Sequence, residues 1–244
     1  MLLNGILGSA AAGLITTLGA FFVFFKKEYN KNLERIFIGF AAGIMLAASI
    51  FSLLLPSIEK SNVYLSSLGF LKGAFAVYIL DKIIVKYYFK KENKEDVEIN
   101  KIALFILAIV IHNFPEGLAV GIAFYQDTFS AALALALGIA IQNIPEGSAV
   151  AFSLIKLNYS RVKIVMVTTL TGLAEPVGAM IGLIFRNIPL YLPFMMAFAA
   201  GSMVYVIISE LIPEFFRDEK DRKIGSIAVV IGFIIMMLMD SINF

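Results

Sequence analysis

The chain has 244 residues, of which 60% are hydrophobic and 16% charged, with a net charge of +2, a mean hydropathy of +0.89 and no cysteine. Soluble domains carry roughly a quarter charged residues, so this composition excludes an ordinary soluble domain and gives no basis for nucleic-acid binding. The missing cysteines exclude disulfides and thiolate metal ligands.

The apolar residues fall in runs near the roughly 20 residues that a helix needs to cross about 30 Å of hydrocarbon, which makes the lipid bilayer the solvent of the fold. Runs bounded by charge or by Pro and Gly predict eight transmembrane helices near 3–25, 34–55, 64–87, 102–125, 129–155, 163–185, 190–212 and 224–242. They form one all-α domain over 1–244. The first run has no basic segment ahead of it and is too long for the apolar core of a signal peptide, so it reads as a retained span.

Basic residues alternate between connections. Lys26, Lys27, Lys31 and Arg35 follow span one, whereas Lys60 stands alone after span two. Lys86, Lys90, Lys91, Lys94 and Lys101 lie between spans three and four, where Lys90 to Asn100 reads as a solvated charge run. Gln126-Asp127-Thr128 carries no base; Lys156, Arg161 and Lys163 come next, then Arg186, then Arg217, Lys220, Arg222 and Lys223. Cytoplasmic loops hold the excess of Lys and Arg, so this alternation predicts an even number of spans with both termini outside.

Span two, with GFAAGIMLAASIFSLLLPS, places Met45 and Ser49 one turn apart. Span three holds Lys72, Asp81 and Lys82, read as snorkelling or pairing residues. Spans four and five then carry nearly the same segment thirty residues apart: HNFPEGLAVG from His112 and QNIPEGSAVA from Gln142. One short connection joins them, so the helices run in opposite directions. Such inverted, interrupted helices place substrate sites at the bilayer midplane in many transporters.

The spacing is chemically specific. Residues four apart share a helix face, so His112 lies with Glu116 and Gln142 with Glu146, while Asn113 and Asn143 flank the same faces. Pro115 and Pro145 lack an N–H and clash with the preceding turn, which frees the carbonyls of Ile111 and Ile141 and predicts kinks in both helices. Gly117 and Gly147 let backbones approach closely. A carboxylate at the bilayer centre costs at least about 2.5–3.5 kcal/mol, and a divalent cation neutralises two of them together. Imidazole with carboxylate suits zinc, iron or manganese better than the all-oxygen shell of calcium or magnesium. The plainer alternative is that each Pro-Glu-Gly is a kink whose protonated Glu bonds a neighbouring helix; two inverted copies with a histidine favour the metal.

Span six adds Glu175 before Pro176 in TGLAEPVGA, a third carboxylate of the same kind. Glu210 and Glu214 bracket Pro213 near the end of span seven, and Asp240 lies near the outer end of span eight. These three read as interfacial residues that could line an entry or exit path.

On HNFPEG, QNIPEG, AEPVGA and GFAAGIMLAAS, the chain resembles the ZIP family of divalent metal transporters, in its prokaryotic GufA-like branch, over its whole length. The resemblance implies a multi-pass cell-membrane protein, of the inner membrane in bacteria, with a binuclear metal centre between spans four and five. By that resemblance His112, Gln142, Glu146 and Met45 hold one metal with Glu116 at the shared wall, and Asn113, Glu116, Asn143, Glu146 and Glu175 surround the second. It also implies inward transport by alternating access, zinc first and then cadmium, iron or manganese, as substrate and not as catalytic cofactor, and a homodimer. Family members vary at Gln142, where some have His, and at Asn143, where some have Asp.

Two rivals make other predictions. An intramembrane metallohydrolase needs more nitrogen ligands than the single histidine of this chain supplies, so no enzymatic activity is expected. A proton- or sodium-coupled transporter of an organic solute explains the broken helices but not His112.

Overall fold

In the computed structural model, residues 2–25, 31–88, 94–126, 128–156, 158–184, 190–215 and 219–241 are described, and among them the regular structure is helical throughout. The helices are α1 (Leu2–Phe25), α2 (Lys31–Ala47), α3 (Leu55–Lys60), α4 (Val63–Tyr88), α5 (Lys94–Gln126), α6 (Phe129–Lys156), α7 (Arg161–Gly172), α8 (Ala174–Ile184), α9 (Tyr191–Val206), α10 (Ile212–Phe215) and α11 (Glu219–Ser241). Two π-helical segments, Ala48–Leu54 and Ile207–Leu211, join α2 to α3 and α9 to α10.

Seven stretches of the described residues are long and apolar enough to cross a membrane: Leu3–Phe21, Arg35–Lys60, Val63–Ile83, Phe129–Phe152, Arg161–Ile184, Tyr191–Leu211 and Arg222–Ser241. The fourth predicted span appears as the shorter apolar stretch Ile109–Tyr125 of α5. Three boundaries differ from the sequence reading. The second span runs on to Lys60, because the π-helical segment carries the helical path through Ser52 and across Pro56 at the start of α3. The charge run before span four is helical from Lys94 onward, as the first turns of α5. Span six is two helices.

That last break has a local cause. Pro176 has no N–H for the carbonyl of Gly172, and α7 ends there with Leu173 between the two helices. Elsewhere side chains start helices: Asn62 Oδ1 accepts from the amides of Tyr64 (3.1 Å) and Leu65 (2.9 Å) ahead of α4, and Ser160 Oγ accepts from Lys163 N (3.4 Å) at α7.

The helices fall into two packing groups. In one, α1 lies along α6 and α5 lies along α8, with α7 against α1; in the other, α2 lies along α11 and α4 along α9. The apolar windows of α6 and α9 are 61% buried, whereas those of α4 and α11 are 22% buried, so α6 and α9 are central and α4 and α11 peripheral. Glycine sets the closeness inside each group. A methyl at Gly147 would overlap the carbonyl oxygen of Thr16, one at Gly117 that of Glu175, one at Gly43 that of Val229, and one at Gly73 that of Phe198. Among the described residues, the glycine that faces across the two groups is Gly138, and what opposes it is the side chain of Met236, with Ile44 beyond at 3.7 Å. The two groups thus meet through side chains, whereas each is internally fixed by backbone contact.

Candidate metal centre

The predicted site residues come from α2, α5, α6 and α8. Asn113, Glu116, Gln142, Asn143, Glu175 and Met45 are fully buried, and Glu146 is 5% exposed. Two glycines explain why these helices converge. Gly117 follows Glu116 and lets the backbone of α8 close on α5 at Glu175; Gly147 follows Glu146 and lets the backbone of α1 close on α6 at Thr16. Gly13 and Gly172 bring α1 against α7 in the same way, and a methyl at Gly13 would come within 3.4 Å of the Glu175 carboxyl carbon. Pro115 and Pro145 lie inside α5 and α6.

Amide side chains organise the cluster. Gln142 Nε2 donates to Glu116 Oε1. Asn143 Nδ2 donates both to Glu175 Oε1 (2.6 Å) and to the carbonyl of Ala12 (2.8 Å). Asn113 Nδ2 donates to the carbonyl of Thr171 (3.1 Å), two residues before the α7–α8 break. The structure therefore brings Glu116 to Gln142 and Asn143 to Glu175, tying α5 to α6 and α6 to both α8 and α1. Met45 lies in the apolar core, its carbonyl accepting from Ser49 Oγ at 2.7 Å. The His112 and Glu214 side chains lie outside the described residues.

The donor set suits a cation. The amide oxygens of Asn113, Gln142 and Asn143 are buried without a hydrogen-bond partner, as are the hydroxyls of Thr16 and Thr168. Buried acceptors that lack a donor are costly in a dry interior, and a cation satisfies oxygens that a hydrogen bond does not. Among the described residues no three His, Asp or Glu side chains converge on a point where they could hold a metal ion. The carboxylates are instead spaced by amides.

The sequence did not reveal the part played by α1, whose Ala12 carbonyl anchors Asn143. No ionisable residue of α1 signals it; the small residues of GSAAAG and the buried Thr16 are its trace. A second polar place was also understated. Ser52 Oγ in the first π-helical segment donates to Asp240 Oδ1 (2.7 Å). These residues, with Glu59, Lys60 and Thr128, line a cavity of about 340 Å³ whose floor includes Ala123 of α5 and Leu135 of α6. Asp240 thus joins the two groups' interface. Lys72 and Lys82 lie over aromatic rings, 6.0 Å from the centre of Phe194 and 4.6 Å from that of Tyr78, and Tyr78 in turn stacks edge-on with Tyr205.

A family model described as the ZIP zinc transporter matches residues 91–240, which include the amide–carboxylate cluster and Asp240. The chain belongs to the ZIP zinc transporter family. It is 34% identical to the zinc transporter ZIPB of Bordetella bronchiseptica, over 97% of this chain and 80% of that one. It is 33% identical to the zinc transporter GufA of Myxococcus xanthus, over 97% of each, and 30% identical to the human zinc transporter ZIP11, over 97% of this chain and 96% of that one. With seven membrane-length apolar helices among the described residues, this ZIP protein is a multi-pass membrane protein.

Proposed function

We propose that this ZIP protein carries a divalent metal ion, zinc first, into the cytoplasm through the buried cluster of α5, α6 and α8. The observation that carries the reading is the set of fully buried carboxylates and partnerless amide oxygens at a helix convergence inside an apolar bundle. A metal passing there neutralises Glu116, Glu146 and Glu175 inside an apolar bundle, where carboxylate charge is costly. Relatives named zinc transporters cover nearly the whole chain, which supports zinc as cargo.

The ligand assignment is His112, Gln142, Glu146 and Met45 for one ion, with Glu116 shared, and Asn113, Glu116, Asn143, Glu146 and Glu175 for the other. Carboxylate, imidazole and amide oxygens suit zinc and also admit cadmium, iron or manganese. The chain's own residues position the site: Asn113 and Asn143 fix α7 and α1 to it, and the glycines beside Glu116 and Glu146 set its width.

Eight spans with both termini outside, arranged as an inverted repeat, complete the reading. The lysine alternation supports the orientation. The packing supports the repeat: the α1–α6 pair is matched by α8–α5, the α2–α11 pair by α9–α4, and the π-helical segment after α2 by that after α9. Alternating access follows as movement of the α1, α5–α8 group against the rest, along the side-chain interface that includes Gly138 and Met236. In this orientation the Ser52–Asp240 cavity is the outer mouth. A homodimer is part of the proposal and is checked by mass measurement in detergent.

The test is metal influx into liposomes loaded with a metal-sensitive dye. Wild type should admit zinc, and Glu146→Ala and His112→Ala should each abolish influx while remaining folded. Unchanged flux in both variants, or none in folded wild type, would overturn the reading.

A further inference from the structure

Gln142 and Asn143 present their nitrogen atoms, not their oxygens, to the carboxylates. An ionised carboxylate only accepts, so the amide group facing it must be the donor end. An ion drawn onto Glu116 Oε1 or Glu175 Oε1 would compete with these N–H groups for that oxygen and would face the positive end of the amide dipole. Amide donation and metal ligation at those atoms therefore oppose each other, because the cation repels the N–H end of the amide and attracts its oxygen. The other end of each amide, Gln142 Oε1 and Asn143 Oδ1, is buried without a partner. The terminal torsion of an amide is broad and roughly two-fold, so a half-turn exchanges donor for acceptor without moving a helix.

Resting on the transporter reading, we infer that the Gln142 and Asn143 amides are two-way switches that turn oxygen toward the ion when cargo is bound and N–H toward the carboxylate when the carrier returns without it. A carrier that works by alternating access crosses the membrane in both conditions. With cargo, the ion neutralises the carboxylates. Without it, a buried carboxylate needs another partner, and charge-assisted amide donation is the one these residues supply. Asn143 is the more firmly set of the two, because its nitrogen also holds the Ala12 carbonyl of α1. Turning it breaks both bonds and loosens α1 from α6, so cargo loading at Glu175 is felt by the neighbouring helix. Asn113 differs: its nitrogen is on the Thr171 carbonyl and not on a carboxylate, so it positions α7.

The inference separates two fluxes. Net influx into metal-free vesicles requires the unloaded return, whereas exchange of labelled external zinc for internal zinc does not. Asn143→Asp and Gln142→Glu keep side-chain size and an oxygen ligand but replace the donor by a second acceptor. In reconstituted vesicles the ratio of net influx to exchange should fall in each variant by about tenfold or more, the factor for losing a charge-assisted hydrogen bond. A wild-type ratio in both variants overturns the switch while leaving metal transport intact. Absence of wild-type zinc flux in both modes overturns the transport reading, and the switch with it.

A second measurement needs no variant. In purified wild type with carbon-13 in the Asn and Gln side-chain carbonyls, the infrared difference between zinc-loaded and zinc-free protein should show the side-chain amide carbonyl stretch shifting on zinc addition. Zinc binding without any such shift also overturns the switch.

Discussion

Replacing Gly147 by Ala puts a methyl group onto the carbonyl oxygen of Thr16, a backbone atom that cannot turn aside, so α1 must move away from α6. Overpacking of this kind costs about 1–3 kcal/mol, and the upper part of the range applies because backbone opposes backbone. Alanine returns about 1 kcal/mol of helix propensity, which leaves a net loss of about 1–2 kcal/mol. In a chain of this size each kcal/mol moves Tm by about 2–4 °C, so Gly147→Ala should melt roughly 2–8 °C below wild type. Gly138→Ala is the matched control. There the methyl meets the thioether of Met236, a side chain with three rotatable bonds that can turn away, and the propensity gain stands uncorrected; its Tm should equal or slightly exceed that of wild type. Both are read by thermal unfolding of purified protein in one detergent, following loss of the monodisperse peak. Equal shifts in the two variants, or a Gly147→Ala protein as stable as wild type, would refute the division into backbone-fixed groups and a side-chain interface.

Thr16→Val and Thr168→Val remove buried hydroxyls that have no partner, so each should raise stability by about 1 kcal/mol, seen as a higher Tm; a lower one would mean that the hydroxyl is bonded. Asp240→Ala removes the acceptor of Ser52 and one of two acids, the other being Glu59, in the cavity between the groups, and should raise KM for zinc uptake several-fold with little change in the maximal rate; a loss confined to the maximal rate would place Asp240 outside the entry path. The chain has no native cysteine, so a Gly138→Cys and Met236→Cys double variant reads cleanly: oxidation should stop uptake and reductant restore it, and full uptake by the cross-linked protein would exclude sliding of α6 past α11.

Much of this was legible because the membrane restricts what polar residues can do. Apolar run length located seven membrane-length helical stretches among the described residues, and the repeated Asn-x-Pro-Glu-Gly with Glu175-Pro176 pointed to the buried polar cluster, since carboxylates in such surroundings need polar company. Other features were not legible. The π-helical segments leave no mark in periodicity over five to seven residues, so the extension of span two to Lys60 and the aim of Ser52 at Asp240 were hidden. The helical start at Lys94 was hidden because a charge run reads the same as coil or as a solvated helix. The Ala12 carbonyl was hidden because backbone acceptors carry no side-chain signature.

The distribution of proposed ligands over the two groups bears on how cargo can travel. Seven of them, His112, Asn113, Glu116, Gln142, Asn143, Glu146 and Glu175, stand on α5, α6 and α8, which pack against one another and α1, with backbone contact at Gly117 and Gly147. Met45 alone stands on α2, which is fixed to α11 through Gly43. Ligands divided evenly between the groups would require several metal bonds to break whenever the groups slid, and each carboxylate bond to zinc is strong. Under the proposed assignment one bond would break, and it would be to a neutral thioether, the softest and least charged member of the set. In that proposal the ion would stay with its carboxylates while the surface facing it changes, and the proposed amide switches at Gln142 and Asn143 would serve the return of that same group after the ion has left.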